Sequence, residues 1–241
     1  MIGEYLKYLH EEDGFYVLRV PRGTLAFADV YSLPRSYFLP EEAEWIKNAV
    51  PNRQEEFLTV RACARKAMHD LGCGIIPMLT RNAAPKWPEG VTGSLSHCAC
   101  RCAAVACKDK FIQSVGIDIE CNQWLNQVVR SIALTEEERR LCDKVSLNWP
   151  HVAWDAMVFS AKESVYKMLC QYDTAVTLDQ IGVSSVDCAG ASFGSFWVTL
   201  HGIPFLKGTG VASRSRCVGE WFLTSQSGIN TIVTLSYIGM S

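Results

Sequence analysis

Two carboxylates stand two positions apart in the segment Val115-Gly116-Ile117-Asp118-Ile119-Glu120. Read as a strand, it turns Val115, Ile117 and Ile119 to one face and Asp118 and Glu120 to the other, with Cβ atoms roughly 7 Å apart, two strand rises. Two acids on one face, flanked by apolar residues, repel each other when both are ionised and desolvated. A bound cation resolves that conflict, and all-oxygen ligands favour a hard ion such as Mg²⁺. An edge strand with a solvated polar face fits the same pattern. A second group is Phe159-Ser160-Ala161-Lys162-Glu163-Ser164-Val165-Tyr166-Lys167. On a helix, Glu163 and Lys167 lie one turn apart. They read either as a surface ion pair or as a third carboxylate, with Lys162 and Lys167 placed for phosphates. The third group, residues 87–98, runs WPEGVTGSLSHC. Its glycines and hydroxyls before His97 describe an anion-binding turn of backbone N–H groups. His97 adds a hydrogen bond or, protonated, a charge. A structural turn with a packed His is the alternative. Three acids, scattered Arg and Lys and a Gly/Ser/His turn together suit a reaction on a pyrophosphate.

The elements that must position these groups are legible in outline. Residues 15–31 are rich in strand formers, broken by Pro21 and Gly23. Leu39-Pro40-Glu41-Glu42 opens a helix to about Val50, since Pro suits the first turn and acids suit the positive end of the dipole. Asn52 and Glu55 form a capping pair for a second helix, on which Phe57, Val60, Ala64, Met68 and Leu71 recur at helical spacing. Arg53, Arg61 and Arg65 lie off that stripe. Residues 80–97 read as loop, and 103–107 and 114–120 as strands. Thr135 and Glu138 make a capping box. Residues 154–172 form the strongest helix of the second half, and 182–200, 210–218 and 220–237 alternate as a small antiparallel sheet does. The polar Lys108-Asp109-Lys110 turn puts a boundary near residue 113.

The chain has 241 residues, 49% of them hydrophobic, enough for a substantial core. A net charge of −2 gives no general basic excess for nucleic acid. No apolar run approaches the roughly 20 residues of a spanning helix, and the first residues do not read as a signal peptide. The expectation is a cytoplasmic protein with no membrane and no nucleic-acid partner. The eleven cysteines are odd in number and irregular in spacing, so they read as reduced, small, mostly buried side chains. In His97-Cys98-Ala99-Cys100-Arg101-Cys102 the cysteines alternate, whereas structural zinc sites use Cys-x2-Cys pairs.

Taken jointly, WPEGVTGSLSHC (87–98), VGIDIE (115–120) and FSAKESVYK (159–167), with weaker support from RQEEFLTVRACAR (53–65), resemble the 4'-phosphopantetheinyl transferases. The resemblance is to the longer type, which activates peptide and polyketide synthases and siderophore assembly lines. It implies an α+β fold of two similar subdomains related by a pseudo-twofold axis, here 1–113 and 114–241, with the active site in the cleft between them. It also implies a monomer, because the short relatives are about half this length and form homo-oligomers. The implied reaction moves the phosphopantetheine arm of coenzyme A to a serine of an apo acyl or peptidyl carrier protein, leaving 3',5'-ADP. By the resemblance Asp118, Glu120 and Glu163 hold Mg²⁺, or Mn²⁺ in its place, against the pyrophosphate. Glu163 also matches the general base. Lys162 and Lys167 match lysines near the pyrophosphate, Lys167 steadying the leaving group. Ser96 and His97 match the turn that binds the 3'-phosphate, and Arg53, Arg61 and Arg81 match basic residues at the nucleotide end. Some members carry a further acid where this chain has Ile119, so water fills more of the metal shell here. A carrier would meet the helix at 135–143 and the segment around Trp124 and Leu125. Two other readings use the same residues: a metal-dependent phosphohydrolase with water as nucleophile, and a non-catalytic zinc-binding interaction module on residues 97–102.

Overall fold

The computed structural model describes residues 2–20, 23–74, 76–78, 80, 81, 84–172, 176–202, 216–226 and 228–239. The chain divides into two units, residues 5–112, and residues 113–241 with the first four. Both are mixed α+β.

In the first unit, strands β1 (His10–Glu12), β2 (Phe15–Val20) and β3 (Gly23–Asp29) precede helices α1 (Pro40–Ile46) and α2 (Pro51–His69). The short pair β4 (Thr80–Arg81) and β5 (Ala84–Pro85) follows, then β6 (Thr92–Cys98) and β7 (Arg101–Cys107). Five of these strands form an antiparallel sheet ordered β1-β2-β3-β7-β6. Helix α2 packs on β7 and β3, enclosing Phe15, Val17, Ala26, Val60, Ala64, Met68 and Cys102. Strand β7 is buried along its whole length, which is why it reads as a continuous apolar run instead of alternating. The buried Arg65 Nη1 donates to Glu42 Oε2 at 2.5 Å, tying α1 to α2. Here α2 departs from the expected start. Val50 is the N-cap and Pro51 the first helical residue, with no side-chain cap. Asn52 instead accepts from the Tyr31 hydroxyl, and Glu55 pairs with Arg35 at 3.0 Å. Helix α1 also ends sooner than expected, at Ile46.

The second unit is built from β8 (Ile112–Cys121), α3 (Gln127–Ala133), α4 (Glu136–Ser146), α5 (Trp154–Leu169), β9 (Ile181–Gly190), β10 (Phe193–Leu200), β11 (Arg216–Gln226) and β12 (Ile229–Gly239). The sheet order is β8-β12-β11-β10-β9, antiparallel from β12 through β9. The N-terminus joins it through Ile2 N–H, which donates to Glu220 Oε1 at 2.8 Å. Helix α5 lies on β12 with α4 beside it, over a core that includes Trp154, Met157, Val165, Phe196, Trp221 and Ile232. The Trp154 and Trp221 rings meet edge to face at 5.2 Å. The capping box at Thr135 and Glu138 forms as expected, whereas α3 is an element the sequence reading lacked. Trp124 is 52% exposed, and Leu125 packs against the core.

Among the described residues no helix is long and apolar enough to cross a membrane. The ten cysteines whose side chains are described are free thiols, and burial pushes Cys107 and Cys142 up to about 12, so they stay protonated.

Candidate functional site

In the second unit the acids are gathered by one close helix–strand contact. Ser114, Gly116, Asp118 and Glu120 alternate onto one face of β8. Ser114 Oγ donates to Met168 O at 2.6 Å, and Gln171 Nε2 to Val115 O at 2.6 Å. At Gly116 a Cβ would stand 1.8 Å from Ser164 O and 2.9 Å from Met168 N, so only glycine lets β8 run this near α5. On its other flank α5 is small as well. Ser160 and Ser164 bond the hydroxyls of Thr234 and Ser236, both at 2.9 Å, drawing α5 onto β12.

The remaining flank of α5 carries Glu163 and, one turn on, Lys167. Lys167 Nζ donates to Asp118 Oδ1 at 2.6 Å. Strand β8 is the edge strand of its sheet, as the alternative reading had it, but Asp118 is only 4% exposed, so the reading of its polar face as solvated does not hold. Burial first, then the charges of Asp118 and Glu163, pushes Glu120 up to about 7, against the opposing pull of Lys167. Burial and the charge of Asp118 likewise raise Glu163, again opposed by Lys167. Three carboxylates thus share one region with Lys167, and the charge of Asp118 makes Glu120 and Glu163 harder to ionise. Oxygen-only donors under mutual repulsion fit a hard divalent cation.

Lys162 belongs elsewhere. It is 2% exposed, and its Nζ donates to Ala133 O at 2.9 Å and Glu138 Oε2 at 3.2 Å. The same Glu138 accepts from Thr135 N at 2.8 Å and Val183 N at 2.9 Å. Lys162 therefore joins α5 to α4 and β9 as a buried structural cation. The expectation that it faces phosphates is corrected. A position one residue from Glu163 is turned about 100° around the helix.

In the first unit, α2 and β6 bring Arg53 and His97 together, with Arg53 Nη1 2.9 Å from His97 Nε2. Glu56, which sequence reasoning missed, stands by both. Its signal was its position three residues from Arg53. The Gly/Ser/His segment is not a turn but strand β6, paired with β7 at Ser96–Ala103 and His97–Cys102. Alternation then puts Ser96, which is buried, and His97, which is exposed, on opposite faces. Their side chains therefore stand on opposite faces of β6, whereas the sequence reading had grouped them in one turn. Arg61, two turns beyond Arg53, is mostly buried, with its guanidinium 3.2 Å from the Phe57 ring centroid and its Nη1 donating to Phe57 O at 3.3 Å. Burial lowers it to about 10. The side chain of Arg81 lies outside the described residues.

Residues 41–107 match the 4'-phosphopantetheinyl transferase N-terminal domain, and residues 114–212 the 4'-phosphopantetheinyl transferase superfamily. Enterobactin synthase component D of Salmonella typhi is 30% identical over 192 residues, 79% of this chain and 74% of that protein. The chain belongs to the 4'-phosphopantetheinyl transferase superfamily. Two relatives are more alike over a shorter stretch. The 4'-phosphopantetheinyl transferase Svp of Streptomyces mobaraensis is 42% identical over 143 residues, and PptT of Mycobacterium tuberculosis is 41% identical over 146. Each alignment covers 59% of this chain but only 58% and 63% of those proteins, so the chain spans about three fifths of their length. The acids of β8 and α5 fall inside the superfamily match, and Arg53, Arg61, Arg81, Ser96 and His97 inside the N-terminal-domain match.

Proposed function

We propose that this protein is a 4'-phosphopantetheinyl transferase, which transfers the phosphopantetheine of coenzyme A to a serine of an apo carrier protein. The observation that carries the reading is the partly buried cluster of Asp118, Glu120, Glu163 and Lys167 in a chain of this superfamily. The carriers would be acyl or peptidyl carrier proteins, or carrier domains of polyketide and nonribosomal peptide synthases, including those of siderophore assembly. The enzyme would act as a monomer in the cytoplasm.

Asp118, Glu120 and Glu163 would hold Mg²⁺, or Mn²⁺. When bound, the ion would supply charge stabilisation for the pyrophosphate. Arg53 and His97 bind the 3'-phosphate, with Arg61 behind them on α2. The carrier serine oxygen attacks the β-phosphorus of coenzyme A. Its bond to phosphorus forms as the bond to the bridging oxygen breaks, and 3',5'-ADP leaves. Glu163 receives the serine proton, directly or through a water. A carboxylate positioned for proton transfer contributes a factor of about 10² to 10⁴. Lys167, held by Asp118, offsets charge on the leaving oxygen. Much of the remaining acceleration comes from holding two large substrates in line.

Mass spectrometry of an apo carrier incubated with the protein, coenzyme A and Mg²⁺ tests the reading. A gain of one phosphopantetheinyl group supports it. Several unrelated carriers left unmodified, with coenzyme A broken down, would replace it with the hydrolase.

A further inference from the structure

The pair Arg53 and His97 is built around a carboxylate that an anion site does not obviously need. Glu56 Oε2 lies 3.3 Å from Arg53 Nη1 and 3.4 Å from His97 Nε2. By charge alone Glu56 opposes a phosphate landing there. Its burial points to a different task. The Glu56 side chain is 22% exposed, against 49% for Arg53 and 39% for His97, so the acid lies beneath and the two basic groups reach solvent. Its backbone is fixed to the same strands. Cys102 Sγ donates to Glu56 O at 3.5 Å, and Cys102 is the cross-strand partner of His97. Helix α2, β7 and β6 thus hold Glu56 and His97 in one frame. The same Arg53 Nη1 reaches His97 Nε2 at 2.9 Å and Glu56 Oε2 at 3.3 Å, so the guanidinium donates toward both the imidazole and the carboxylate and the acid anchors it beside the ring. Both side chains lose rotamer freedom when a ligand orders them, a cost that is smaller when they are already ordered.

We propose that Glu56 is a positioning residue that holds Arg53 and His97 side by side for the 3'-phosphate of the coenzyme. It thereby sets how well the protein separates nucleotides with that phosphate from nucleotides without it. The proposal rests on the transferase reading.

Calorimetric titration of coenzyme A and of 3'-dephospho-coenzyme A into wild type, Glu56→Gln and Glu56→Leu tests it, with melting temperatures recorded alongside. Glu56→Gln keeps the size of the side chain and removes its charge. Both variants are expected to bind coenzyme A about two- to five-fold more weakly, the range of a partly exposed ion pair, and dephospho-coenzyme A unchanged. Equal loss for both ligands, no loss, or tighter binding of coenzyme A would overturn the role. So would a wild type that binds the two ligands equally, since the 3'-phosphate assignment then goes too. A wild type that prefers coenzyme A but modifies no carrier removes the transferase reading and leaves Glu56 in place.

Discussion

The two units handle charge in opposite ways. On α2 and β6, Arg53 and His97 reach water with the less exposed Glu56 beneath them, so a carboxylate already stands among the basic groups. On β8 and α5, Asp118, Glu120 and Glu163 carry one sign, are partly desolvated, and have one lysine among them. Exposed mixed pairs are screened and hold little energy. Buried like charges store repulsion that a cation, a proton or a reacting group can relieve. The first arrangement suits reversible recognition of an anion and the second suits chemistry.

The sharpest way to break that contrast is Glu163→Gln. Removing the proposed base lowers the rate of carrier modification by about 10²-fold or more, with little change in the KM for coenzyme A. A loss confined to KM would place Glu163 among binding groups. Next is Lys162→Met, which strands the buried Glu138 and should cost about 3 kcal/mol in denaturant unfolding. The KM of the folded enzyme for coenzyme A stays unchanged. A large rise in KM with full stability would restore Lys162 to the phosphates. Gly116→Ala sets a methyl against the Ser164 carbonyl and is expected to cost about 2 kcal/mol, read from the urea midpoint.

The pH dependence follows from Glu120, raised from 4.5 to about 7. Between those values the unfolded chain has lost this proton and the folded one keeps it, so stability falls as pH rises through that window. The loss is about 2 kcal/mol, discounted for partial exposure. Melting temperature without divalent ions should decline from pH 5 to 8, and Mg²⁺ should restore more at pH 8 than at pH 5. A flat profile in both conditions would mean that these acids do not share a strained site. The smallest effect is at the exposed pair, where Arg53→Ala raises the KM for coenzyme A about ten-fold, the value of one charge-assisted contact to phosphate, with kcat kept.

What the sequence showed and hid divides along range. The alternation of residues 115–120 placed Asp118 and Glu120 together, and helical spacing placed Glu163 with Lys167, because both are local periodicities. The capping box at Thr135 was legible for the same reason. Lys162 was misread because its partner Glu138 is 24 residues away and reaches it only through packing. The Gly/Ser/His stretch was read as a turn from its glycines and hydroxyls, although it pairs locally with β7 across residues 99 and 100, and strand alternation then separates Ser96 from His97. The sequence reading drew nothing from Gly116, although a glycine inside a strand marks close backbone approach. The element approaching it, α5, begins 38 residues later.

The most direct measurement follows coenzyme A and an apo carrier together in one reaction with wild-type protein and Mg²⁺, counting carrier mass gained and 3',5'-ADP released. The account predicts one 3',5'-ADP for each phosphopantetheinyl group gained, with both abolished by chelating the metal. Coenzyme A consumed without any gain in carrier mass, or modification that persists fully after chelation, would contradict it.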